Sequence, residues 1–202
     1  MKIPIDVKVE CTDGDAGHTA AIIIDPAAGK VTHLVVKGKG DLVGEFLVPL
    51  EMIEQCTPYV ILLRLSREKL AAEQRFDRTI FTDSNQDLIG NALLMNSGVE
   101  TANLGAASMP TYVQVEQVPG ASVALHIGAH VDAIDGRVGK VDELVINRDT
   151  GDLAYVILRH GHLWRKEEIC VPVTEVDHIA DDIVYLKLDK AGVEALPVLP
   201  KY

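Results

Sequence analysis

Apolar residues fall in short runs along this chain, and nearly every run ends in Gly, Pro, Asp or Asn. The first run, Ile5 to Cys11, is closed by Asp13-Gly14-Asp15-Ala16-Gly17. The runs His18 to Ile24 and Val31 to Val36 flank Asp25-Pro26-Ala27-Ala28-Gly29. Two runs rich in branched residues, joined by a turn of that composition, predict an antiparallel hairpin. The loop Lys37 to Gly44 leads to Glu45-Phe46-Leu47-Val48-Pro49-Leu50. Pro49 has no amide proton for a ladder, so this strand is expected to lie at an edge or to end there. Tyr59 to Leu65 reads as a further strand, and Ser66 is placed to cap a short helix through Glu73 by accepting an unpaired amide hydrogen bond.

Between Phe76 and Ser122 the pattern weakens, and Asn, Gly, Ser and Thr become frequent. A structureless stretch of that length is unusual inside a compact domain, so a boundary is expected there. Gln86 to Met95 reads as one or two helical turns and Thr111 to Val118 as an edge strand.

The pattern then returns. Asp135-Gly136-x-x-Gly139 matches Asp13-Gly14-x-x-Gly17, Asn147 and Gly151 match Asp25 and Gly29, and Val171-Pro172-Val173 matches Val48-Pro49-Leu50. Ile183 to Leu188 answers Val60 to Leu65, with Asp189 at the capping position of Ser66. Turns of this kind are common singly, but their recurrence in order at a nearly constant offset predicts an internal duplication. The expected fold is all-β: two small antiparallel barrels, each with a short C-terminal helix, over residues 1–75 and 123–202, with a divergent linker over 76–122.

The D-G-x-x-G turns, the D-x-x-x-G hairpin turn, the runs Thr32 to Val36 and Ala154 to Leu158, and the V-P pairs resemble the PRC-barrel family. That family includes the cytoplasmic domain of the photosynthetic reaction-centre H subunit and small-subunit ribosome maturation factors. The second copy, with Arg159-His160-Gly161-His162-Leu163-Trp164 and Val184-Tyr185-Leu186-Lys187-Leu188, is most similar to bacterial proteins with two such barrels. The resemblance implies docking onto other macromolecules and no shared catalytic residue. Peripheral docking to a membrane complex is compatible with it, and so, by analogy alone, is a ribosome-assembly or RNA-associated role.

Composition narrows these options. The aromatic share is 4% and the apolar set is mostly Val, Ile, Leu and Ala, which suits strands around aliphatic cores. A net charge of −11 argues against nucleic acid as the main ligand, because phosphate binding depends on clustered Lys and Arg. The three cysteines, Cys11, Cys56 and Cys170, are far apart and form no C-x-x-C pair, so neither a disulfide framework nor a cysteine zinc site is read. With no apolar run of bilayer length and no hydrophobic signal region, a soluble cytoplasmic protein is expected.

The chemistry-bearing candidates gather in one loop. His160 and His162 are two apart, so on a strand both imidazoles would face one side, with His126, His130 or Cys170 as third ligands for an ion. The plainer account is a solvated hairpin loop, because the first copy carries Gly38-Lys39-Gly40 there. Trp164, the sole tryptophan, lies among Arg159, Arg165 and Lys166 and suits either an interface anchor or a lid on the core. Asp13, Gly14, Gly17, Asp135, Gly136 and Gly139 are read as turn residues, since calcium-loop and phosphate-loop spacings are both missing. No catalytic or cofactor-binding motif is read. The expected function is a non-catalytic interaction or scaffold protein that meets a protein partner or its own copy. The alternative is a metal- or ligand-binding regulator using His160 and His162.

Overall fold

The computed structural model describes residues 1–82, 111–116, 118–160 and 167–198. In chain order the elements are β1 (Lys2–Pro4), β2 (Lys8–Cys11), β3 (Gly14–Asp25), β4 (Lys30–Gly38), β5 (Glu45–Pro49), a 3-10 turn (Leu50–Met52), β6 (Ile53–Cys56), β7 (Val60–Leu63) and α1 (Arg67–Ala72). They continue with β8 (Asp77–Thr82), β9 (Thr111–Glu116), β10 (Val123–His126), β11 (His130–Ala133), β12 (Gly136–Ile146), β13 (Leu153–His160) and β14 (Glu167–Pro172). A second 3-10 turn (Val173–Glu175), β15 (Val176–Ala180), β16 (Ile183–Leu186) and α2 (Lys190–Glu194) follow.

Two seven-stranded sheets carry the fold. One runs β5-β4-β3-β2-β7-β6 and the other β14-β13-β12-β11-β16-β15. Among the described residues, neither sheet has a ladder between its end strands, so the closed barrels expected from sequence are not formed. The edges β5 and β6 are nonetheless consecutive in the chain, separated only by Leu50–Met52. At about 2 Å of rise per 3-10 residue, that turn spans about 6 Å, so the sheet has to curl until its edges approach. The sheets are also not purely antiparallel. The chain crosses from one edge to the other through the 3-10 turn, and β7 therefore returns beside β2 in parallel, as β16 does beside β11. Pro49 is the last residue of the end strand β5, in keeping with its missing amide.

The strands do not stay with their sequence neighbours. β1 pairs with β12 of the second sheet, Ile3 opposite Leu144, while β10 pairs with β3 of the first, Leu125 opposite Ile22. Each sheet thus takes one strand from the far half of the chain. The hydrogen bonds around these exchanged strands come in matched sets. Ile5 N donates to Asp142 O and Ile127 N to Ala20 O; Leu153 N donates to Gly29 O and Val31 N to Gly151 O. The last two bonds are reciprocal, the geometry of a two-fold seam within one chain.

Alternation along the strands points Val9, Ile22, Leu34, Val48 and Ile61 of the first sheet, and Val131, Leu144, Val156, Val171 and Val184 of the second, into one continuous aliphatic core. Burying each such side chain contributes about 1.5–3 kcal/mol. Among the described residues the buried polar side chain is Thr19, and its hydroxyl accepts from Val7 N at 3.1 Å.

Both predicted caps are present: Ser66 Oγ accepts from Lys69 N at 3.3 Å and Asp189 Oδ1 from Gly192 N at 2.8 Å.

The chain divides into two compact units, one built from residues 1–76 with 118–202 and the other from residues 77–117. Within the latter, β8 and β9 form an antiparallel ladder from Asp77 opposite Glu116 to Thr82 opposite Thr111. The strand expected at Thr111–Val118 is β9, but it sits in this hairpin; its partner Asp77–Thr82 carries no pattern that the sequence reading singled out. The helical turns expected over Gln86–Met95 lie outside the described residues.

Candidate interaction site

The D-G-x-x-G turns have two tasks. Gly14 and Gly136 take φ of +140° and +122°, which other residues rarely adopt. The second glycine lies where a neighbouring strand passes close: a Cβ on Gly17 would stand 1.9 Å from Lys37 O, and one on Gly139 2.5 Å from Arg159 O. The aspartates reach further than a turn requires. Asp13 Oδ1 accepts from Arg67 N at 2.8 Å and Asp135 Oδ1 from Lys190 N at 2.9 Å, so each turn is tied to the first turn of its helix. Sequence reading missed this tie because its partners lie more than 50 residues apart.

The loop between β13 and β14 is described only at its margins. β13 ends at His160 and β14 begins opposite it at Glu167; His162, Trp164 and Arg165 lie outside the described residues. Arg159 pairs through Nη2 with Asp142 of the adjacent strand, so its guanidinium serves the sheet itself. In the first half the equivalent loop is closed by its own contacts. Arg67 pairs with Asp41, Lys39 Nζ with Asp15 at 3.0 Å, and Arg75 Nη1 donates to Val43 O at 2.7 Å.

The suggested third ligands are dispersed. Cys170 faces Ile157 in the ladder, three positions from His160. His126 lies on β10 in the first sheet, its Nδ1 2.8 Å from Asp182 Oδ1 and its amide 2.9 Å from the same oxygen. His130 begins β11, with Nδ1 shielded from solvent and without a hydrogen-bond partner. Among the described residues no three His, Cys, Asp or Glu side chains are grouped to hold an ion. The thiols are ordinary structural groups. Burial pushes Cys11 and Cys56 up to about 11 and raises Cys170 as well, which keeps all three protonated and weakly nucleophilic near neutrality.

The seam between the sheets carries the most specific polar contacts. Lys30 Nζ lies 3.6 Å from Asp152, and Asp152 has its carboxyl lowered by the Thr150 hydroxyl and then by Lys30. Arg148, in the β12–β13 turn, reaches across to β6 and donates from Nη2 to Glu54 O at 2.7 Å and Ile53 O at 3.3 Å. No sequence signal marked Arg148. Elsewhere, large apolar side chains stand exposed at turns, with Tyr59 84% and Ile134 and Val43 each 73% accessible. Among the described residues, no helix is long and apolar enough to cross a membrane.

No curated protein matches the chain. A family model does: residues 131–193, from β11 to the penultimate residue of α2, match the PRC-barrel domain. That interval takes in the Asp135 tie, the Asn147–Gly151 turn, the Val171-Pro172 step and the Asp189 cap, so the similarity to the PRC-barrel domain falls on this part of the chain.

Proposed function

We propose that the chain is a non-catalytic interaction or scaffold protein, built as a tandem pair of PRC-like units centred on residues 1–75 and 123–202, that docks onto a protein partner or complex. The tandem reading is supported by the matched ties, caps and reciprocal seam bonds, each joining counterpart residues in the two halves.

The observation that carries the functional reading is the fate of the reactive groups. The aspartates of the D-G-x-x-G turns hold helix ends, the arginines at the sheet margins hold strands, and the thiols are kept protonated by burial. Chemistry spent on structure in this way leaves surface shape, exposed apolar tips such as Tyr59 and Ile134, and backbone edges as the working features.

Size-exclusion chromatography with light scattering, on the protein drawn from native extract, tests this. A stoichiometric complex is expected. A free monomer at native concentration, showing turnover of any small molecule, overturns the proposal.

A further inference from the structure

β6 and β15 are end strands of their sheets and occupy matching places in them. Edge carbonyls and amides are a template for another chain unless something covers them. On β6 something does: the Arg148 guanidinium sits on Ile53 O and Glu54 O. The matching carbonyls on β15 belong to Val176 and Asp177, and among the described residues no donor from across the seam reaches them.

The cause lies in one residue of the facing turn. The turn Asn147–Gly151 is held by Asn147 Oδ1, which accepts from Asp149 N and Thr150 N; Asp25 Oδ1 accepts from Ala27 N and Ala28 N in the same fashion. The residue after the capping side chain is Arg148 in one turn and Pro26 in the other, and Pro26 has neither charge nor donor. The seam is also open on that side. A Cβ on Gly151 would meet Val31 O at 2.7 Å and the Leu50 side chain at 3.6 Å, whereas one on Gly29 meets nothing within 4 Å.

Charge selects the occupant. Asp177 lies on β15 and Glu175, Asp181 and Asp182 flank it, Asp182 Oδ1 being held by the His126 amide and ring. The cations beside them are engaged: Lys187 Nζ donates to Thr174 O at 2.9 Å, and His178 Nδ1 lies 2.8 Å from Asp177 Oδ2 with its ring stacked 4.3 Å from Tyr185. A second copy of this chain would bring like charge to like charge, at −11 overall. An extended cationic segment matches both the free backbone and the field.

Resting on the interaction reading above, we infer that the β15 edge at Val176 and Asp177 docks an arginine-bearing extended segment of a partner protein. One arginine of that segment takes the place over these carbonyls that Arg148 takes over β6, and the segment's backbone pairs with the strand.

The test uses the full chain and a capped peptide of alternating Val and Arg, followed by amide exchange and chemical-shift titration. Saturable binding that slows exchange over Val176–Ala180, and not over Ile53–Cys56, is expected. Pro26→Arg, which supplies a guanidinium from the chain's own turn, is expected to weaken binding about tenfold or more, a shift of about 1.4 kcal/mol. Asp177→Lys, on an exposed side chain, is expected to weaken it similarly, which covers the case of a misfolded Pro26→Arg protein. No binding at millimolar peptide overturns the inference, as does equal binding of a backbone N-methylated peptide or a change confined to self-association. A native partner that binds the Pro26→Arg and wild-type chains equally overturns the edge assignment while leaving the interaction reading intact.

Discussion

On the outward side of the first sheet, Ala21, Ile23, Val35 and Leu47 are closed over by Phe76, Val118 and Ala124. The matching places in the second sheet, fixed by ladder register, hold Glu143, Val145, Ile157 and Cys170, and the exchanged strand brings Lys2 where the first sheet receives Ala124. The first sheet's face is thus covered by apolar contact, whereas the second carries an ion pair, Lys2 Nζ to Glu143 Oε2 at 3.5 Å, with Lys2 half-exposed and Glu143 Oε2 buried without a hydrogen-bond partner. The inner faces diverge in size but not in polarity: both are apolar throughout, with Phe46, Ala16 and Cys11 of the first sheet answered by Ile169, Val138 and Ala133 of the second. A close-packed interior penalises any change of polarity, whereas an outer face accepts either chemistry as long as its polar atoms find partners.

The largest expected effect follows from the apolar seal. Phe76 is fully buried, and Phe76→Ala is expected to cost about 3–5 kcal/mol in urea unfolding followed at the Ala21–Val35 cluster. A loss below about 1 kcal/mol would mean that the outer cluster adds little and that the two faces are closer in kind than their residues suggest.

For the ion pair, the expectation depends on which partner is removed. Lys2→Ala leaves the Glu143 carboxylate covered and uncompensated, at a cost of about 1–3 kcal/mol. Joining it with Glu143→Ala recreates the Ala–Ala pairing of the first sheet, and the double variant is expected to be more stable than the single. A double-mutant cycle by thermal unfolding decides this; simple additivity would show that the pair does not interact.

The seam offers a smaller contrast. Arg148→Ala removes both hydrogen bonds to β6 and is expected to cost about 1 kcal/mol, since these carbonyls can turn to water. It also bares a second edge, so earlier elution in size-exclusion chromatography at high concentration is expected with it.

What was legible in the sequence was local. The Asp25–Gly29 and Asn147–Gly151 turns, the Ser66 and Asp189 caps and the end of β5 at Pro49 rest on interactions between residues a few positions apart, and residue type alone specifies them. The exchange of β1 and β10 was not legible. Lys2-Ile3-Pro4 is too short to show a period of two, and its ladder partners lie about 140 residues away. Arg148 gave no signal for a similar reason: an arginine in a turn has the same composition whether it faces solvent or a strand edge. Closure of each sheet into a barrel was over-read, because strand number and spacing do not specify whether the last two edges hydrogen-bond.

The smallest effect expected separates the halves by pH. His33 on β4 faces Pro49, and the matching residue opposite Pro172 on β13 is Tyr155. Burial lowers the His33 pKa from 6.5, against the opposing pull of Glu51 and Glu73. The folded chain therefore binds this proton less readily than the unfolded chain does. Its contribution to stability is complete above about 6.5 and is lost as pH falls from there through the lowered value. Denaturant midpoints measured from pH 7.5 to 5 are expected to fall less steeply for His33→Tyr than for the wild type. Parallel curves would show that the imidazole is as well solvated folded as unfolded, and would remove this one titrating difference between the two sheets.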